Sequence, residues 1–188
     1  FIRPGQTHNG DSYVVLTVGN RVLVGVVGGL GYGADSAAAA KRTVAEIREY
    51  VGDESLISVV RRCHARLRET RGVALSLALF QPDNSTMTWI GVGNVEGRLL
   101  RSETESFRKP ETLLLRAGTV GIQLPGLLTS TVPVVAGDIL IFATDGLDRN
   151  FVDGLSVNDD PQRLCDRIMA THSKKTDDAV VVAVRYIG

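Results

Sequence analysis

Several function classes are removed by what this chain does not contain. It has no excess charge of either sign, with 21 basic and 21 acidic residues among 188, so a broad nucleic-acid surface has no support. No apolar run approaches the ~20 residues needed to span a bilayer, and no basic-then-apolar leader opens the sequence. The chain starts at Phe1 rather than Met, from which we expect further residues upstream. Only two cysteines occur, Cys63 and Cys165, both in helix-like segments and without CxxC spacing. A disulfide framework is therefore not expected, and reduced thiols in a cytoplasmic protein are. The three histidines, His8, His64 and His172, lie far apart without the paired spacing of a zinc site. What is present is ordinary globular material, 44% hydrophobic and 22% charged, and the length predicts one domain over 1–188 with a sizeable core.

Hydrophobic periodicity orders that material. Tyr13 to Val18 and Arg21 to Val27 are β-branched runs separated by Gly19-Asn20, the spacing of an antiparallel hairpin. After the glycine-rich stretch 28–33, Ala37, Ala40, Val44, Ile47 and Val51 step by three and four, which predicts a helix closed by Gly52. Asp53 is placed to cap a second helix carrying Leu56, Val60, Cys63 and Leu67. Val73 to Phe80, Thr86 to Val92 and Val95 to Leu100 read as strands, the first apolar on both faces. Arg101 to Gly126 gives no clear boundaries. Leu127 to Val135 and Ile139 to Ala143, around Ala136-Gly137-Asp138, read as another hairpin. A helix over Pro161 to Thr171, with Pro161 at its first position, and a last strand over Ala179 to Ile187 complete the order. Helices segregated from a long antiparallel series predict an α+β fold, two packed sheets flanked by helices.

Four places bear chemistry, all at predicted strand ends: Asn9-Gly10-Asp11-Ser12, Gly28 to Gly33, Thr144-Asp145-Gly146-Leu147 and Lys175-Thr176-Asp177-Asp178. Taken singly, each has a plain explanation as a turn in which an aspartate hydrogen-bonds its own backbone. Together they would bring carboxylates to one sheet edge, and hard divalent cations such as magnesium and manganese take oxygen ligands. Leu140 to Leu147 and Gly25 to Leu30 are also nearly one phrase used twice. The later copy ends on Asp145-Gly146-Leu147; the earlier ends on Gly28-Gly29-Leu30, with no carboxylate.

Gly10-Asp11-Ser12, Gly28-Gly29-Leu30-Gly31-Tyr32-Gly33, Val92-Gly93-Asn94, Thr144-Asp145-Gly146-Leu147 and Thr176-Asp177-Asp178 occur in the order of the metal-dependent protein phosphatases. From Asn9 onward the chain resembles that family, the protein phosphatase 2C-like group, and most of all its compact bacterial stressosome branch. The resemblance implies a four-layer α-β-β-α sandwich with two Mn²⁺ or Mg²⁺ ions at one end, about 4 Å apart, holding a hydroxide that attacks a phosphomonoester. It implies metal contacts from Asp11, Asp145 and Asp177, and from the backbone carbonyl of Gly29. It also places the family's bridging aspartate at position 28, where this chain has glycine. The implied activity is hydrolysis of phosphoserine or phosphothreonine on stressosome scaffold or anti-sigma-regulatory proteins, weakened by the missing carboxylate. No phosphate-binding arginine is assigned near Asp11.

Three other readings compete. The chain could bind phosphorylated partners without hydrolysing them, as a pseudophosphatase, and Gly28 favours this. Gly28 could instead be an inactivating substitution in a working enzyme. Gly29 to Ala34 also matches the dinucleotide fingerprint G-x-G-x-x-A, but its strand belongs to a hairpin rather than a parallel βαβ unit.

Overall fold

The β-branched residues flanking Gly19-Asn20 form the expected hairpin. In the computed structural model, which describes residues 1–102 and 110–188, strand β1 (Asp11–Val18) runs antiparallel to β2 (Arg21–Gly29). Val18 faces Arg21 at the turn, and Asp11 faces Gly28 at the open end. Helices α1 (Ala34–Arg48) and α2 (Leu56–Arg66) follow, then β3 (Val73–Gln81), a 3₁₀ turn over Pro82–Asn84, β4 (Thr86–Val92) and β5 (Glu96–Leu100). Short strands β6 (Glu111–Thr112), β7 (Leu115–Arg116) and β8 (Ser130–Pro133) precede β9 (Ile139–Ala143), α3 (Pro161–His172) and β10 (Val181–Arg185). Part of the segment without clear boundaries, 103–109, lies outside the described residues.

One sheet has the order β1-β2-β3-β4-β7, with β8 also beside β4; the other has the order β10-β9-β5-β6. Runs that are apolar on both faces feed two different cores at once, because successive strand residues point to opposite sides. In β2, Leu23 and Val27 pack towards the helices with Ile47, Val60 and Cys63, while Val24 and Val26 pack between the sheets with Trp89, Leu99 and Phe142. In β9, Leu140 and Phe142 join that middle core, and Ile139 and Ile141 pack outwards with Leu164 and Ile168 of α3. Three cores fill the spaces between four layers, and the α-β-β-α sandwich is confirmed. Each fully buried aliphatic or aromatic side chain stabilises it by about 1.5–3 kcal/mol.

The structure corrects three local expectations. Helix α1 ends at Arg48, so Val51 is 74% exposed, and Tyr50 supplies the buried side chain instead. Ser55 rather than Asp53 caps α2, its hydroxyl accepting from the Ser58 amide at 3.1 Å. Gly52, at φ +98°, turns the chain, and the cap falls three residues later. The 127–143 segment is not a hairpin, because β8 pairs with β4 in one sheet and β9 with β5 and β10 in the other. The chain crosses between sheets at Gly137 (φ +97°) and Asp138, whose buried carboxylate accepts from the Val135 and Ser102 amides and from Arg101. Asp160 caps α3 as its position before Pro161 predicts, accepting from the Gln162 amide at 2.9 Å.

Candidate metal and phosphate site

Antiparallel pairing brings the start of one strand beside the end of the next. Asp11 therefore opens β1 next to Gly28 and Gly29 at the end of β2, and Thr144-Asp145 leaves β9 where Asp177-Asp178 enters β10. Both pairs lie at one end of the sandwich. Asp11, Gly28, Gly29, Asp145 and Asp177 line a single cavity of about 250 Å³, together with Arg3. The five positions to which the resemblance gives a part in the metal site, Asp11, Gly28, Gly29, Asp145 and Asp177, are all brought to this place.

The turn chemistry that could have explained Asp11 belongs to its neighbour. Asn9 accepts the Asp11 amide through its own Oδ1 at 2.9 Å, leaving the Asp11 carboxylate free of that task. Asp11 Oδ2 is buried and has no hydrogen-bond partner among the described residues. Burial, reinforced by the charges of Asp145, Asp178 and Asp177, raises the Asp11 pKa from 3.8 to about 7, against a lowering hydrogen bond from Thr144. An orphaned carboxylate oxygen among other carboxylates is arranged for a cation.

The other acidic side chains divide by role. Asp145 Oδ2 accepts from Asn94 Nδ2 at 2.7 Å, and its backbone carbonyl accepts from Lys174 Nζ at 2.6 Å. Asp177 is partly exposed, with Arg3 Nη1 at 3.8 Å. Asp178, 4% exposed, instead accepts the backbone amides of Gly10 and Arg3, both at 2.8 Å, and ties the chain before β1 to the start of β10. The Gly29 carbonyl already accepts from Ser36 Oγ at 3.0 Å, which leaves one lone pair.

The glycines separate in the same way. A Cβ at Gly29 would overlap Ser36, and one at Gly146 would overlap the Asp178 carbonyl, so close packing requires both. Gly28 has no such reason. Its backbone is outside the left-handed region, and a Cβ there would lie 3.4 Å from Asp11 Oδ1 and 3.8 Å from Val95, ordinary contacts. A side chain at position 28 would enter the cavity beside Asp11.

The donor set is all hard oxygen, which fits Mg²⁺ or Mn²⁺ with water completing the shell. Among the described residues no group of three His, Cys, Asp or Glu side chains is assembled to hold a metal. The carboxylates thus share a cavity without closing into a cage, and position 28 is where another would fit.

Two histidines are disposed of. Exposed His8 pairs with the Thr7 hydroxyl at 3.0 Å, and His64 accepts the Gly121 amide through Nδ1 at 2.9 Å. The dinucleotide reading fails because β2 is flanked on both sides by antiparallel strands, with no parallel βαβ unit around the glycine loop. Sequence reasoning missed Arg3, whose guanidinium stacks 4.4 Å from the Tyr32 ring and lines the cavity. No spacing signals it. It arrives because Phe1 exchanges backbone hydrogen bonds with Ala179, laying the first residues across the strand ends. Asn94 was legible only as part of a motif, and its hold on Asp145 is a tertiary contact.

Comparisons with known proteins bear on the fold and the family. Phosphoserine phosphatase RsbX of Bacillus subtilis (strain 168) is 28% identical over 149 residues, which is 78% of this chain and 71% of RsbX. The crystal structure of RsbX in complex with magnesium superimposes with a TM-score of 0.82 at 21% identity, covering 97% of this chain and 90% of that one. The PP2C phosphatase domain of SpoIIE from Bacillus subtilis, solved with a fragment of its regulatory domain, gives a TM-score of 0.78 at 20% identity, covering 98% and 60%. The family description Stage II sporulation protein E (SpoIIE) matches residues 19–187. With the sandwich, the strand-end carboxylates and this match together, the chain belongs to the SpoIIE family of protein phosphatase 2C-like serine/threonine phosphatases.

Proposed function

We propose that this chain, as one cytoplasmic catalytic domain, is a metal-dependent phosphoprotein phosphatase for phosphoserine or phosphothreonine on stressosome or anti-sigma-regulatory proteins. Its activity is weakened by glycine at position 28. The observation that carries the reading is the orphaned, buried Asp11 Oδ2 beside Gly28, where a Cβ fits without strain. Asp11, Asp145, Asp177 and the Gly29 carbonyl would hold Mn²⁺ or Mg²⁺, which when bound supplies Lewis-acid activation of water and offsets charge on the phosphoryl oxygens. Asn94 orients Asp145 through its 2.7 Å hydrogen bond. Arg3, fixed against Tyr32, offers a guanidinium to the phosphate oxygens. The stressosome context is supported by the likeness to a solved structure described as belonging to the bacterial stressosome, with a TM-score of 0.87 at 23% identity, covering 98% of this chain and 95% of that one.

Restoring the carboxylate tests the proposal. Gly28→Asp should hydrolyse p-nitrophenyl phosphate in a Mn²⁺-dependent manner at least about 100-fold faster than the unmodified chain, since loss of even a supporting partner of a metal ligand costs about 10–100-fold. A folded Gly28→Asp protein with no added activity would remove the reading.

One observation favours a second reading. Arg3 stands 3.8 Å from Asp177 and gives the cavity a cation of its own. On that basis the unmodified chain could hold a phosphorylated partner without turnover. Phosphopeptide binding that is undiminished in EDTA, with no phosphate release, would select it.

A further inference from the structure

The metal cavity is half of a longer cleft. A second cavity of about 360 Å³ lies on the other side of the hydrogen-bonded Asn94–Asp145 pair, and these two residues line both spaces. Its floor is firm, since Leu147 and Phe151 are 3% and 1% exposed and belong to the core under α3. A phosphorylated side chain in the first cavity would place its neighbouring residues over the second.

The charges on the second cavity are unevenly satisfied. Glu96 Oε2 accepts from Arg98 Nη2 at 2.8 Å, so its charge is already met. Arg149 reaches Glu96 only at 3.8 Å, and its side chain is 93% exposed. An ion pair that long and that exposed holds the guanidinium weakly, leaving it free for another anion. Lys174 is fixed by one hydrogen bond to the Asp145 carbonyl, at the seam between the cavities, and an ammonium group has two further donors. Neither Asp145 nor Asp148 makes an ion pair among the described residues, but the Asp145 carboxylate is engaged by Asn94 Nδ2 at 2.7 Å and is shared with the metal cavity. With Glu96 met by Arg98 and Asp145 engaged by Asn94, Arg149 and Lys174 are left beside Asp148.

We propose that this second cavity is a specificity subsite that takes an acidic side chain adjacent to the phosphorylated residue of the substrate, with Arg149 and Lys174 as its recognising cations. The inference rests on the phosphatase reading and names what that site selects. The apolar floor excludes water below the carboxylate, and the two cations approach it from the rim.

The test uses phosphoserine peptides identical except for Asp, Ala or Lys beside the phosphoserine, with p-nitrophenyl phosphate as a substrate too small to reach the subsite. With Gly28→Asp and Mn²⁺, the Asp peptide should exceed the Lys peptide by about tenfold in kcat/KM, as expected for two exposed charge contacts. Adding Arg149→Glu should erase or reverse that preference through KM, leaving kcat and p-nitrophenyl phosphate turnover unchanged. Equal kcat/KM for the three peptides, or a preference for Lys, overturns the subsite. If Gly28→Asp is inactive even on p-nitrophenyl phosphate, the phosphatase reading is what has failed. The subsite is then judged by fluorescence anisotropy of the same peptides on the unmodified chain. Tighter binding of the Asp peptide that is lost in Arg149→Glu supports it, and equal binding overturns it.

Discussion

At the scale of single residues, three neighbouring positions do different work. Gly29 is a glycine because Ser36 occupies the space of any side chain, whereas Gly28, one residue earlier, has room. Gly28→Ala should therefore leave the melting temperature nearly unchanged, while Gly29→Ala costs about 1–3 kcal/mol through overpacking, both readable by thermal denaturation. Asp11 gives a pH signature. Its carboxyl is raised from 3.8 to about 7 in the folded chain, so below about pH 4 it is neutral in both folded and unfolded states. Between about pH 4 and 7 the unfolded chain ionises and the folded chain resists, so this group's contribution falls as pH rises, and the loss is complete above about 7. In chelator, Asp11→Asn should flatten that leg of the stability–pH curve. An identical slope in the two proteins would reject burial as the source of the shift. Asp145→Ala and Asp177→Ala should each weaken Mn²⁺ binding by at least about tenfold in calorimetry. Unchanged affinity in either would count against that residue as a ligand.

At the scale of elements, the legible features were those set by contacts a few residues apart. The β1–β2 hairpin follows from Gly19-Asn20, and the α3 start follows from Asp160-Pro161, because turn and cap chemistry is local. The α2 cap was misplaced because Asp53 and Ser55 are both chemically competent, and the φ +98° turn at Gly52 decides between them. Ser55→Ala should cost about 1 kcal/mol in denaturant unfolding and Asp53→Ala almost nothing. The partners of β8 and β9 could not be read from periodicity at all. Where they part lies the buried Asp138–Arg101 pair, which joins residues 37 apart in sequence. The same limit applies to the site. The aspartates were visible because each sits in a local phrase at a strand end, whereas Arg3 reaches the cavity only through the backbone pairing of Phe1 with Ala179, 178 residues away.

At the scale of the whole molecule, the candidate ligands are divided between the two sheets. Asp11 and Gly29 belong to the sheet of β1 and β2, while Asp145 and Asp177 flank β9 and β10 of the other. The middle core of Trp89, Leu99 and Phe142 sets the distance between these sheets, and so acts as a spacer for the site. An ion held by carboxylates from both sheets would be a staple across the sandwich. Binding to the folded state alone raises its stability in proportion to the logarithm of metal concentration above the dissociation constant. Thinning the spacer should then be felt at the staple: Leu99→Ala, remote in sequence from every acidic ligand, should lower Mn²⁺ affinity as well as stability. A change in melting temperature with no change in affinity would show that the two sheets hold their separation without that core.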